Sequence, residues 1–172
     1  MENFIFYTSG KSNLKLNKYQ VVLFYLLKLP ILQKFIKPFL KKTLKLPITT
    51  SINSNFSINA PWLQVGENVS LADTYFVAWA PIIIGDNTTF SYKNCVINST
   101  HDTNNFSTVI GKPIIIGNNT WITSNCTILG GVRIGDNTII GAGSVVVNDI
   151  PSGVFAAGNP CKVIRTINFK IN

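Results

Sequence analysis

Between residues 84 and 146 an apolar side chain returns at every sixth position: Ile84, Phe90 and Val96, then Ile116, Ile122 and Ile128, then Ile134, Ile140 and Val146. Four positions after most of these stands a small or medium-sized residue (Thr88, Asn94, Thr120, Cys126, Val132, Thr138, Ser144). Two inward positions thus alternate with outward ones over a short strand, and a turn must follow. One phrase marks the turns: Val65-Gly66-Glu67-Asn68, Ile84-Gly85-Asp86-Asn87, Ile116-Gly117-Asn118-Asn119 and Ile134-Gly135-Asp136-Asn137, at intervals of 19, 32 and 18 residues. Gly and Asn tolerate the positive φ that such corners require. A chain that turns every six residues and regains its phase after eighteen traces a triangular coil. Stacked coils of that kind make a mainly-β fold, a parallel β-helix around a column of Ile and Val. The competing pattern, a β-sandwich, spaces its strands irregularly at about 8–12 residues and does not hold phase over nine positions. The interval of 32 exceeds one coil by 14 residues. Counting forward from Ile84 closes the coil at His101 and predicts that residues 102–115 leave the solenoid as an extruded loop. Long loops in compact repeats usually carry function.

Ahead of the repeats the period changes. Apolar residues at 32, 35, 36, 39, 40 and 44 form a helical stripe, with Lys34, Lys37, Lys41 and Lys45 on the other side. Pro30 is placed to start this helix and Pro38 to kink it. The chain therefore divides into a basic helical segment, residues 1–46, and a β-helix domain, residues 47–167, that ends in a short tail. Charge follows the same division. The formal net charge is +8, yet nine of the fifteen Lys and Arg precede residue 47, where Glu2 is the only acid; six basic and six acidic residues share the remainder. A neutral body with few aromatic–basic interleavings argues against a nucleic-acid partner. A basic amphipathic helix within residues 19–46 reads either as peripheral membrane binding or as a cap on the open end of the solenoid. Both readings stay open at this point.

The rest of the composition sets bounds. At 172 residues, 46% hydrophobic and 13% charged, the chain has the material for one core. Three widely spaced cysteines (Cys95, Cys126, Cys161) fit neither a disulfide framework nor a metal or redox motif, so a reducing, cytoplasmic setting is expected, at the inner membrane face if the basic helix binds lipid. The opening stretch, Met1 to Lys18, lacks the pattern of a secretory signal. The longest apolar run, Val21 to Leu27, falls short of the roughly 20 residues that span a bilayer. A single histidine cannot supply a zinc site built on several histidines, so no metal is expected.

That one histidine, His101, stands at the root of the extruded loop and is followed by Asp102. A hydroxyl is a poor nucleophile until its proton is removed, and only a base with a pKa near neutrality does this at physiological pH. Asp102 is a candidate to orient the imidazole, although an Asp at the start of a loop is as often a turn residue.

The C-terminal run completes the picture: Trp121-Ile122, Gly130-Gly131-Val132-Arg133-Ile134-Gly135, Ile140-Gly141-Ala142-Gly143-Ser144-Val145-Val146, Asp149-Ile150-Pro151, and Ala157-Gly158-Asn159-Pro160-Cys161-Lys162-Val163-Ile164-Arg165. It resembles the hexapeptide-repeat acyltransferases, in particular the branch of galactoside, maltose and polysaccharide O-acetyltransferases. The resemblance implies a left-handed parallel β-helix, acetyl-CoA as cosubstrate, and a homotrimer with sites between subunits. It assigns the role of general base for direct transfer to His101. It places Trp121 on the acetyl and pantetheine path, backbone groups of Ser124 and Ala142 against coenzyme A, and Lys162 and Arg165 near its phosphates. Departures are visible too: Asn148 stands where many relatives have lysine, Val147 where they often have threonine, and Thr123 replaces a common glycine.

On the acceptor side, the sugar-binding Asn and Asp of galactoside-type enzymes fall at Leu71 and Trp79, so neither polar group is kept. Trp79, with Tyr75, Phe76 and Tyr92, is instead a candidate to stack on a sugar's apolar face. Asn94 and Lys93 are weaker candidates for hydroxyl contacts. The reading is an acetyl-CoA-dependent O-acetyltransferase with a carbohydrate acceptor of the capsule or O-antigen type. N-acetylation of a nucleotide-linked amino sugar, acetylation of a small molecule, and a non-catalytic assembly module are the alternatives.

Overall fold

A computed structural model of the chain describes residues 5–8, as backbone only, and residues 15–168. Of the basic segment, residues 1–4 and 9–14, including Lys11, lie outside the described residues, as does Lys170. The body is the expected β-helix with three walls of parallel strands. The first wall stacks Leu63–Val65, Ile82–Ile84, Ile114–Ile116 and Arg133–Ile134. The second stacks Ser51–Ile52, Ser70–Ala72, Thr89–Phe90, Trp121–Ile122, Ile139–Ile140 and Val154–Ala157, and closes with the antiparallel strand Lys162–Thr166. The third stacks Ser57–Ile58, Tyr75–Val77, Cys95–Ile97, Thr127–Leu129 and Val145–Val146.

Register follows the six-residue count. Ile122 lies between Phe90 and Ile140, and Ile128 between Val96 and Val146. All nine apolar repeat positions are buried, and so are all seven of the smaller residues that follow them. Removing that column from water is what holds the coils together. A file of rings, Phe24, Phe56, Phe76 and Phe90, runs up the axis with centroids 5.9–6.0 Å apart.

Within the corner phrase the two special residues divide the work. Asn68, Asn87, Asn119 and Asn137 take the positive φ, between 51° and 56°. Their amides link up the stack, each Nδ2 donating to the next Oδ1 at 3.1–3.3 Å. The glycines are there for space. A Cβ on Gly85 would sit 2.8 Å from the backbone nitrogen of Asn118, and one on Gly117 2.7 Å from that of Asp136.

The N-terminal segment folds as two helices rather than one. Helix α1 spans Lys18–Leu27, a 3₁₀ turn covers Pro30–Leu32, and α2 spans Gln33–Thr43 with Pro38 inside it. The Asn17–Gln20 capping box starts α1, and Gln20 Nε2 donates to the Thr43 carbonyl at 3.1 Å, tying the two helices together. Leu23, Leu27, Leu40 and Leu44 join Ile52, Phe56 and Ile58 in the core, so the helices cap the first coil. Of the predicted apolar stripe, Leu40 and Leu44 are buried, while Phe35 and Phe39 face solvent.

The inserted residues leave the coil three positions earlier than counted, because a repeat interval gives the number of extra residues and not their exit point. Lys112 N donates to Asn98 O at 2.8 Å and closes the neck. Ile114 and Ile115, expected in the loop, belong to the first wall. Between them the chain forms a hairpin of Ser99–His101 and Thr108–Gly111, and the N-terminal strand Ile5–Thr8 pairs antiparallel with its outer edge.

Candidate active site

His101 ends the outgoing strand of the hairpin, opposite Val109, and its ring is exposed. Its Nδ1 lies 2.7 Å from the Phe106 carbonyl oxygen across the hairpin turn. A carbonyl only accepts, so this contact puts the hydrogen on Nδ1 and leaves the Nε2 lone pair facing outward, the tautomer a general base needs. Asp102 does not orient the ring. Its Oδ1 accepts from Asn104 N at 2.8 Å, and its backbone is engaged with Asn105 and Thr108, so it is the turn residue of the two readings. The orienting group leaves no trace in the sequence, since a main-chain carbonyl carries no residue signature.

Trp121, Ser124 and Ala142 gather at another corner, where the second wall turns into the third. The Trp121 ring is half exposed, and its Nε1 donates to Ser91 Oγ of the preceding coil at 3.0 Å. One coil on, Gly143 N donates to Ser124 O at 3.0 Å, with Ala142 exposed beside it. The chain passes this corner again at Gly158 to Cys161, whose ends bond to Val145, and then doubles back as Lys162–Thr166. Lys162 and Arg165 project from that outer strand, both exposed, with the Arg165 guanidinium 5.5 Å from the centroid of the Phe155 ring. An indole, two turn backbones and two cations thus lie along one edge of successive coils. Ser91 also belongs to this edge, although no sequence motif singles it out; its position one coil below Trp121 is the only signal that points to it.

The acceptor candidates separate. Trp79 sits at the neck of the hairpin: its nitrogen donates to Asn98 Oδ1 at 2.7 Å, and a Cβ on Gly111 would come within 2.6 Å of its carbonyl oxygen. Tyr92 and Tyr75 are exposed. Asn94 is buried and spent within the coil, donating to Ser91 O and accepting from Cys126 N, both at 2.8–2.9 Å, so it is not an acceptor contact. Phe76 is fully buried in the ring file and cannot stack on a sugar. Lys93, exposed at a positive-φ corner, donates its backbone N–H to Asp73 Oδ1. The cysteines offer no nucleophile, since burial pushes the thiols of Cys95, Cys126 and Cys161 up and holds them protonated.

Within one chain His101 and this edge do not meet. The hairpin leaves between the third and first walls, whereas Trp121, Ser124 and Ala142 lie between the second and third. Among the described residues, one open groove of about 510 Å³ lies on Ile115, Arg133, Asp149 and Pro151, and another of about 440 Å³ between α1 and the first coil. Neither contains His101 or Trp121.

Known proteins share this fold. Residues 113–148 match the family described as bacterial transferase hexapeptide (six repeats). The chain is 41% identical over 123 residues to galactoside O-acetyltransferase of Escherichia coli K12, an alignment that takes in 71% of this chain and 59% of that protein. The chain therefore spans less than two thirds of that relative's length. Among solved structures, a maltose O-acetyltransferase from Clostridium difficile 630 superposes with a TM-score of 0.77 at 31% identity, over 88% of this chain and 86% of that one. A galactoside acetyltransferase in complex with coenzyme A superposes with a TM-score of 0.73 at 30% identity, over 87% and 80%.

Proposed function

The chain belongs to the hexapeptide-repeat transferase family, and from that premise we propose that it is an acetyl-CoA-dependent O-acetyltransferase acting on a hydroxyl of a sugar, with surface polysaccharides of the capsule or O-antigen type as the acceptor class. The observation that carries the reading is the 2.7 Å contact between His101 Nδ1 and the Phe106 carbonyl, which presents Nε2 as a base on an exposed hairpin. Nε2 takes the acceptor's hydroxyl proton as that oxygen attacks the thioester carbonyl carbon. The carbon–sulfur bond then breaks, the acetyl group stays on the acceptor oxygen, and the sulfur takes the proton from Nε2. Trp121 lines the path of the thioester arm, while Lys162 and Arg165 serve its phosphates as donors and point charges. Trp79, half-buried at the hairpin neck, is the aromatic candidate to meet the sugar.

The separation of His101 from the Trp121 edge supports sites shared between copies, as in a homotrimer. The test is acetyl-CoA consumption screened against oligosaccharides, nucleotide sugars and lipid-linked glycans, followed by His101→Ala with the acceptor found. Loss of turnover by 10²–10⁴-fold, on the order expected for a positioned base, is the expected result. A loss within about tenfold overturns the assignment of the base. Mixing the His101→Ala and Trp121→Ala chains before assembly should recover part of the activity, because some shared sites then receive both native residues.

A further inference from the structure

Capping the solenoid uses only part of the apolar surface on the N-terminal helices. Ile31, Phe35 and Phe39 are 87%, 64% and 55% exposed. Their spacing of four places them on one line of α2 and the turn before it. Lys34 and Lys42 lie on the same exposed side, and Lys28 lies at the end of α1. Lys41, by contrast, is committed to the cap, its Nζ donating to the Ile48 and Thr50 carbonyls. From residue 3 to residue 66 the chain carries nine lysines and no acid. An exposed apolar line among cations alone is the composition of a helix that lies in the plane of an anionic lipid surface, with aromatic rings in the acyl boundary and ammonium groups at the headgroups. A second copy of the chain suits this face poorly, since self-contact would set lysine against lysine. Among the described residues no single helix is long and apolar enough to cross a membrane, and the helical segments Lys18–Leu27 and Pro30–Thr43 are bent by 112° at the break between them.

We propose that the outer face of the helical cap, centred on Ile31, Phe35 and Phe39, docks the protein on an anionic lipid membrane. The proposal is independent of the acetyltransferase reading, since its readout is binding alone. The experiment is cosedimentation of the full chain with vesicles of phosphatidylcholine and with vesicles containing about 30% phosphatidylglycerol, at low and raised salt. Anionic vesicles should bind it more than tenfold better than neutral ones, and raised salt should reverse most of that gain. Phe35→Ser with Phe39→Ser should cut binding at least tenfold while circular dichroism and assembly state stay as in the native chain, because both rings are exposed. Lys34→Glu with Lys42→Glu should abolish the preference for anionic vesicles. Absence of binding to anionic vesicles overturns the proposal, as does full binding by the double Phe variant. A change in assembly state of that variant without any vesicle binding gives the face to a second copy, and overturns it equally.

Discussion

Phe76 and Phe106 are one residue type in two regions with opposite demands. Phe76, in the third wall, is fully buried between the rings of Phe56 and Phe90. Phe106, at the tip of the hairpin, is 75% exposed and contributes its main-chain carbonyl to His101. In the stacked body each inward side chain meets the equivalent residue one coil above and one below, so its identity is constrained by packing. In the hairpin the working group is a backbone oxygen held by a turn. Stability and chemistry are thereby separated along the chain, and substitutions should sort by region. Phe76→Ala opens a cavity in the ring file and should cost about 3–5 kcal/mol, lowering the melting temperature by roughly 10 °C. Phe106→Ala keeps the carbonyl and should change stability by no more than about 0.5 kcal/mol. A comparable loss from both, measured by thermal denaturation, would break the division.

The same contrast accounts for how much of the molecule is legible in its amino-acid sequence. The solenoid is legible because its energy comes from a repeated position: nine apolar residues at one spacing can be served by one geometry. The corner phrase is legible as a turn, but its division of labour is not. Positive φ falls on the Asn, and Gly is required where the next coil passes at less than van der Waals distance. The helical cap is half legible. Its stripe is helical as the spacing predicts, yet Leu40 and Leu44 turn inward and Phe35 and Phe39 outward, because packing on the first coil chooses only one side of the stripe. At the site, His101 is identifiable as the one titratable imidazole, whereas its orienting partner and the hairpin strands of 99–111 depend on backbone pairing that no side-chain pattern encodes.

Two glycines sharpen the comparison inside the body. Gly117 faces Asp136 of the next coil, and its added Cβ would meet main-chain atoms that cannot move aside without unstacking the wall. Gly143 has φ of +72° with nothing within 4 Å of the added Cβ. Gly117→Ala should therefore cost about 2–3 kcal/mol through overpacking, and Gly143→Ala about 1 kcal/mol through backbone strain alone. Denaturant titration of the two variants checks the order. If Gly143→Ala were the more damaging, positive φ rather than close coil approach would limit these corners.

The smallest effect is expected where the sequence points to chemistry and the structure holds a turn. Asp102 stands beside His101, but its Oδ1 accepts the Asn104 N–H at 2.8 Å while the Phe106 carbonyl accepts the imidazole Nδ1–H. An asparagine amide oxygen accepts that N–H in the same geometry, so Asp102→Asn removes the charge and keeps the turn. Turnover should stay within about threefold of the native chain, since no step draws on the carboxylate. A carboxylate that oriented the imidazole would show a loss on the order of 10⁴-fold for the same exchange, because the amide would favour the wrong tautomer. The pair Asp102→Asn and Asp102→Ala separates the two contributions. If the hairpin needs only the acceptor, the alanine variant alone shows faster amide exchange at Asn104 and Thr108.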